Sequence, residues 1–191
     1  NRLKADFLAQ GESLLAGVQH VQIIACGTSY HAGMVAKYWL ESLLRLPCQV
    51  EIASEYRYRN PVVMDHTLMV CISQSGETAD TLAALRDIQR QNIPGFASLA
   101  LCNVPTSSLV RETQLHLLTQ AGPEIGVAST KAFTTQLAAL MLLVLKLGDV
   151  QQRLSAAQQQ QIIAGLWNLP QALNAALGQD SAIEKLSALF V

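Results

Sequence analysis

Short apolar runs alternate along the chain with segments whose apolar residues recur at helical spacing. That spacing predicts helices over residues 2–17, 30–44, 79–90 and 130–147. The apolar runs between them predict strands at residues 22–26, 49–53, 67–72, 97–102 and 114–118. Strands separated by helices indicate βαβ units and a parallel sheet covered on both faces. We therefore predict an α/β domain over residues 1–150, with three α/β/α layers and a five-stranded, doubly wound sheet in the flavodoxin-like order.

Residues 151–191 follow a different pattern, rich in Gln and helical throughout. The apolar positions Ile162, Ile163, Leu166 and Leu169 are spaced as one helix face. Pro170 is expected to break this helix, and the capping-box pattern of residues 181–184 is expected to start another. The pattern predicts a helical tail that braces the domain or links it to a second one.

Charge is scarce in this sequence of 191 residues: charged residues make up 14%, against a typical value of about 25%. The net charge is −1, and no stripe of Lys and Arg is visible, so nucleic-acid binding is not expected. Residues 137–147 are apolar nearly all round but shorter than the roughly 18 to 20 residues of a membrane span. They predict a buried helix, in the core or at a subunit interface, and the low charge favours a homodimer.

Four cysteines stand at positions 26, 48, 71 and 102, without a Cys-x-x-Cys pair or a nearby histidine at metal spacing. They are predicted to be reduced core residues of a cytoplasmic protein, with no metal and no cofactor. No signal peptide is visible, and the start at Asn1 indicates an excised or internal fragment.

The candidate chemistry begins where the third predicted strand ends, in Ser73-Gln-Ser-Gly-Glu-Thr78. Ligands of open parallel sheets bind beyond the carboxyl ends of the strands, and a helix N-terminus attracts anions there. The hydroxyls of Ser73, Ser75 and Thr78 can donate to phosphate oxygens, Gly76 permits a close backbone approach, and Glu77 should point away. The alternative is that Ser75 merely caps the helix. The loop matches neither the dinucleotide nor the nucleoside-triphosphate glycine pattern.

Two further loops carry the same kinds of residue: Cys26-Gly-Thr-Ser29 after the first strand, and Gly126-Val-Ala-Ser-Thr-Lys131 before the last long helix. Convergent polar groups at one sheet edge predict a single pocket, and three independent helix caps are the alternative. A pocket of neutral donors and acceptors suits a phosphate together with sugar hydroxyls.

The motifs ACGTSYHAGMVAKYW, EIASEYRYRN, SQSGETADTL and GPEIGVASTKAFTTQL resemble the SIS (sugar isomerase) family. Within that family they resemble the first isomerase subdomain of the glucosamine-6-phosphate synthases, from about His20 to Leu147. The resemblance implies that Ser73, Gln74, Ser75 and Thr78 hold the phosphate of fructose 6-phosphate or glucosamine 6-phosphate. It implies that the sugar is lined by Thr28, Val127 and Ser129, with Gly27 and Ser29 in the same site.

The resemblance also implies partners: a glutaminase domain that supplies ammonia, and a second SIS subdomain that carries the catalytic base, histidine and lysine. No catalytic residue is therefore expected in this chain, and residues 187–191 resemble the first strand of that second subdomain. Two other functions stay open: a regulatory module that senses a phosphosugar without transforming it, and an oligomerisation module with an incidental pocket.

Overall fold

In the computed structural model, residues 8, 11–125 and 129–190 are described. The strands are β1 (His20–Ala25), β2 (Cys48–Ile52), β3 (Thr67–Ser73), β4 (Ala97–Cys102) and β5 (Leu115–Leu118). The helices are α1 (Glu12–Ala16), α2 (Gly27–Leu44), α3 (Ala53–Tyr58), α4 (Ala79–Gln89), α5 (Ser108–Glu112), α6 (Lys131–Val150), α7 (Ala156–Leu177) and α8 (Asp180–Ser187).

The five strands form one parallel sheet in the order β2-β1-β3-β4-β5, which confirms the predicted flavodoxin-like arrangement. β3 lies at the centre, and all seven of its residues are buried. This explains its continuous apolar sequence, because a central strand of a parallel sheet is covered on both faces. The order also reverses direction between β1 and β3, so the carboxyl ends of these two strands flank the natural crevice of the fold.

Helices cover both faces of the sheet. On one face Ile24 and Met69 share a buried cluster with Tyr56 of α3 and Leu85 of α4. On the other face α2 comes so close that a Cβ added to Gly33 would lie 2.8 Å from the Ile23 side chain. The sheet therefore lies between two layers of helices, as the alternation of strands and helices predicts.

α6 is longer than its apolar segment suggested. It spans 20 residues, and by length and composition it could cross a membrane. Half of its most apolar stretch is buried within the protein, however, including Leu140, Leu143 and Leu147. The prediction that this helix is too short to span a membrane was therefore wrong, because it counted only residues 137–147. α6 is identified as a core helix by its burial against the rest of the domain.

Two short helices escaped the sequence analysis. α3 has six residues and α5 has five, so neither is long enough to display a helical period. α2 begins at Gly27 rather than near residue 30, which places the whole Gly-Thr-Ser segment inside its first turn.

The chain divides into two compact units, residues 1–154 and residues 155–191, and the second unit contains α7, α8 and a 3-10 turn at Ala188–Phe190. The expectation that Pro170 breaks the helix was wrong, since α7 continues through it. Proline lacks the N–H of one helical hydrogen bond, but a helix of 22 residues can lose one such bond and still continue. The capping box lies at Ser155 and Gln158, with a Ser155 N to Gln158 Oε1 distance of 3.0 Å, and not at residues 181–184. The expected strand at residues 187–191 is helical over its described part.

Candidate functional site

A cleft of about 430 Å³ opens beyond the carboxyl ends of β1 and β3. Eight of the nine predicted site residues line it, and the ninth, Val127, lies outside the described residues. The lining also includes Cys26 and Ile72, which were not predicted as binding residues. The full set is Cys26, Gly27, Thr28, Ser29, Ile72, Ser73, Gln74, Ser75, Thr78 and Ser129. The three Ser/Thr-rich segments thus meet at one place.

The β3–α4 loop is held in a tight, fixed shape by Ser73. Its Oγ accepts a hydrogen bond from the Gly76 N–H at 3.0 Å and lies 2.8 Å from Thr78 Oγ1. Gly76 adopts φ +68°, and a Cβ at this position would lie 2.2 Å from Ser107 Oγ. Only glycine fits this turn, because both the backbone conformation and the space exclude a side chain. Ser73 is buried at 4% exposure, so its hydroxyl shapes the loop from below.

Ser75 does not cap α4. The N-cap residue is Thr78, and its side chain makes no capping hydrogen bond. The Ser75 Oγ accepts from the Glu77 N–H at 3.2 Å and keeps its own proton available at the cleft. α2 likewise starts at Cys26 without a side-chain cap. Two helix N-termini therefore face the cleft without side-chain acceptors, and each favours an anion.

Glu77 points away from the cleft, as the analysis of the loop expected. Its carboxylate accepts a hydrogen bond from the backbone N–H of Ser108, with a distance of 2.7 Å. This bond, aided by the positive charge of Arg111, lowers the pKa of the Glu77 carboxyl below its ordinary value. Among the described residues that line the cleft, none carries a charge.

The third segment reaches the cleft through Ser129, and a carboxylate anchors it. Glu124 Oε2 accepts from the backbone N–H groups of Thr130 at 3.3 Å and Ala132 at 3.2 Å. Glu124 therefore neutralises the N-terminus of α6 itself, and that helix end does not compete for an anionic ligand. Lys131 is exposed and is not among the lining residues.

A buried contact beneath the cleft was missed by the sequence analysis. Gln136 of α6 donates from Nε2 to Ser29 Oγ at 3.0 Å. A single amide in an apolar helix is the only signal that the sequence offered. The cysteines are free, as expected, and burial raises the pKa of the Cys71 and Cys48 thiols to about 12.

The arrangement suits binding rather than proton transfer. Its hydroxyls, amide and helix N-termini can surround a phosphate and the oxygens of a polyol. Within the described part of the chain, the lining contains no carboxylate, imidazole or amine that could act as a base.

The fold and the position of the cleft define an α/β domain with a ligand site at the carboxyl edge of its parallel sheet, and residues 14–146 match the SIS domain model. The chain belongs to the SIS domain family. It is 60% identical, over its whole length, to the glutamine–fructose-6-phosphate aminotransferase [isomerizing] of Acinetobacter baylyi, and 55% identical over 94% of its length to that of Escherichia coli. It spans only 32% and 29% of the length of these curated relatives.

A solved structure, the C-terminal domain of glucosamine-fructose-6-phosphate aminotransferase from Francisella tularensis, superposes with a TM-score of 0.89 at 48% identity. The match covers 94% of this chain and 50% of that one.

Proposed function

We propose that the chain is the phosphosugar-binding part of the isomerase half of a glutamine–fructose-6-phosphate aminotransferase, acting in amino-sugar biosynthesis. Fructose 6-phosphate and glucosamine 6-phosphate are the ligands. The observation that carries the proposal is the meeting of three Ser/Thr-rich segments in one cleft, at two helix N-termini without side-chain caps, where the described lining carries no charge. The names of the relatives at 60% and 55% identity support it.

In the proposed complex the phosphate lies against Ser73, Gln74, Ser75 and Thr78, at the start of α4. The free proton of the Ser75 hydroxyl and the N-terminal amides of α4 donate to its oxygens. Glu77 does not oppose the phosphate, because its carboxylate is turned to Ser108.

The sugar lies towards the α2 side of the cleft, against Gly27, Thr28 and Ser29, and Ser129 of the third segment also contacts it. Val127, which lies outside the described residues, is assigned to the sugar by the family resemblance alone. Neutral hydroxyls suit a polyol, since each can donate and accept a hydrogen bond.

The chain binds substrate but supplies no catalytic residue in this proposal. Transfer of a proton between C1 and C2 needs a base within hydrogen-bond reach, and the described lining has none. Glu124, a carboxylate two residues before the third segment, accepts hydrogen bonds from two backbone N–H groups. The base is therefore assigned to a second SIS subdomain of a longer parent chain, and the ammonia source to its glutaminase domain.

The proposal also includes contacts of this chain with a second copy and with a further domain. We propose a two-fold homodimer, supported by a charged fraction of only 14% and by exposed large apolar side chains such as Tyr38 of α2. The tail of residues 151–191 leads to the second SIS subdomain, and Trp167 in α7 is 72% exposed, as suits a contact with a further domain.

The test is a thermal-shift titration of the 191-residue chain with fructose 6-phosphate and with fructose. A dissociation constant on the order of 1 mM would stabilise the fold by roughly 1.4 kcal/mol at ten times that concentration, or about 3–6 °C. Fructose at the same concentration should produce no shift.

Ser75→Ala should remove most of the shift, because a hydrogen bond to a charged group contributes about 2 kcal/mol. Ser42→Ala is the matched control, since Ser42 lies exposed on α2 and, among the described residues, its hydroxyl donates only to the Tyr38 carbonyl oxygen. Equal shifts from the two sugars would refute the proposed function.

A further inference from the structure

The side chain of Gln136 is a polar group in the core with few hydrogen-bond partners around it. It is 1% exposed, and its Oε1 has no hydrogen-bond partner among the described residues. Its one hydrogen bond runs from Nε2 to Ser29 Oγ, between α6 and α2. A buried amide costs free energy unless it is paired, so a side chain held in this way needs a reason.

The direction of this hydrogen bond follows from which amide atom faces Ser29. Nε2 lies 3.0 Å from Ser29 Oγ, and Oε1 lies on the side without a hydrogen-bond partner among the described residues. An amide nitrogen can only donate, so the hydroxyl oxygen accepts. Gln136 is therefore the donor, and Ser29 Oγ is the acceptor.

This direction decides what Ser29 can do in the cleft. Ser29 lies in the first turn of α2 and lines the cleft. Because its oxygen accepts from Gln136, its own proton is not used in that contact. Among the described residues the Ser29 hydroxyl has no acceptor, so the proton is available to a ligand oxygen.

We propose that Gln136 is a positioning residue: by donating to Ser29 from beneath, it fixes the Ser29 hydroxyl as a hydrogen-bond donor to a neutral oxygen of the bound sugar. The inference rests on the proposed function of the cleft and deepens it. Gln136 does not contact the ligand and acts only through Ser29. The oxygen that it selects is a hydroxyl or carbonyl oxygen of the sugar, since Ser29 belongs to the segment assigned to the sugar.

The sharpest test is Gln136→Glu, because the new side chain has the same shape and changes polarity with pH. Ionised, the carboxylate can only accept, so it takes the Ser29 proton and removes that donor from the cleft. Protonated, it donates to Ser29 as the amide does. Burial raises the pKa of such a carboxyl above its ordinary value of about 4.3, which brings the change into a usable range.

The expected result is measured by calorimetry with fructose 6-phosphate from pH 5 to 8.5, as the ratio of the variant's dissociation constant to that of the wild type. Taking this ratio removes the titration of the ligand's own phosphate. At the alkaline end the variant should bind about three- to tenfold more weakly, the loss of one neutral hydrogen bond. The ratio should return towards one as the pH falls.

A double-mutant cycle with Ser29→Ala separates this role from a merely structural one. In the Ser29→Ala background neither Gln136→Glu nor the uncharged Gln136→Met should weaken binding further. If Gln136→Glu does not fold, Gln136→Met and its cycle with Ser29→Ala decide the matter at one pH.

Additive effects in the cycle, or a ratio that does not change with pH in a folded Gln136→Glu, overturn the inference. If Ser75→Ala weakens binding of fructose 6-phosphate and the Gln136 variants do not, the inference about Gln136 is overturned and the proposed function stands. A wild-type chain that does not bind fructose 6-phosphate overturns the proposed function and this inference together.

Discussion

The β3–α4 loop depends on a single glycine, and replacing it should be costly. Gly76 has φ +68°, a left-handed conformation, and an added Cβ would lie 2.2 Å from Ser107 Oγ and 2.5 Å from Ser107 Cβ. Ser107 is 1% exposed and precedes α5, so it cannot move aside freely. Gly76→Ala therefore introduces both backbone strain and overlap.

The magnitude follows from the two effects. The left-handed conformation costs a residue with a Cβ about 1–2 kcal/mol. Overpacking a buried site costs about 1–3 kcal/mol more, which gives a total loss of unfolding free energy of about 2–5 kcal/mol. Gly122→Ala is the matched control: its φ is +69°, and an added Cβ would meet nothing within 4 Å. That variant should lose only the first amount.

Urea denaturation of the wild type and the two variants measures these differences. A third variant, Gly76→Ala with Ser107→Gly, removes the nearest atoms and should recover part of the overlap cost in the Gly76→Ala background. The reasoning is refuted if Gly76→Ala is no less stable than Gly122→Ala. Fructose 6-phosphate binding should also weaken in Gly76→Ala, because Ser73, Ser75 and Thr78 are all positioned by this turn.

Three further predictions concern activity, assembly and pH. The isolated chain should form no glucosamine 6-phosphate from fructose 6-phosphate with glutamine or ammonia, and should exchange no C1 hydrogen with deuterated water; turnover abolished by Glu124→Gln would contradict this. Sedimentation at tens of micromolar, roughly where a specific interface should hold, should show a dimer, and a monomer would count against the proposed interface. Glu77→Gln should lower thermal stability at pH 7, because the ionised carboxylate binds the Ser108 N–H better than a neutral amide does. The pKa of Glu77 is lowered in the folded state, so its ionised carboxylate stabilises the fold at pH values above the ordinary carboxyl pKa. This stabilisation is lost as the pH falls through the pKa of the folded state. The melting temperatures of the wild type and of Glu77→Gln should therefore converge in acid.

The sheet was predictable because its inner strands β3 and β4 are buried on both faces. β3 and β4 are continuous apolar runs bounded by turn residues, and the helical patterns between the runs fix the parallel arrangement. The gathering of the three Ser/Thr-rich segments was predictable for a related reason. Each lies at or beyond the carboxyl end of a strand, and in a parallel sheet those ends share one edge.

The details that remained hidden depend on contacts far apart in the sequence. The hydrogen bond between Ser29 and Gln136 joins residues 107 positions apart, and no local pattern announces it. Glu124 lies within the motif GPEIGVASTKAFTTQL, but only the fold shows its carboxylate at the N-terminus of α6. The predicted helix break at Pro170 was wrong for the opposite reason. It followed a local rule, but a helix of 22 residues can continue with one hydrogen bond missing.

The absence of charged side chains from the described lining of the cleft has a kinetic consequence for the proposed ligand. A chain of net charge −1 has no positively charged side chains in that lining to attract a phosphosugar dianion from a distance, and the helix N-termini act only close to the site. Capture is then governed by ordinary diffusion and by the fit of hydroxyls and amides at contact, where mobile ions screen little. Such a site exchanges its ligand at a rate that responds weakly to ionic strength. Such a site also selects among anions by shape and by hydroxyl pattern. Simple inorganic anions are therefore not concentrated at the cleft by charge alone.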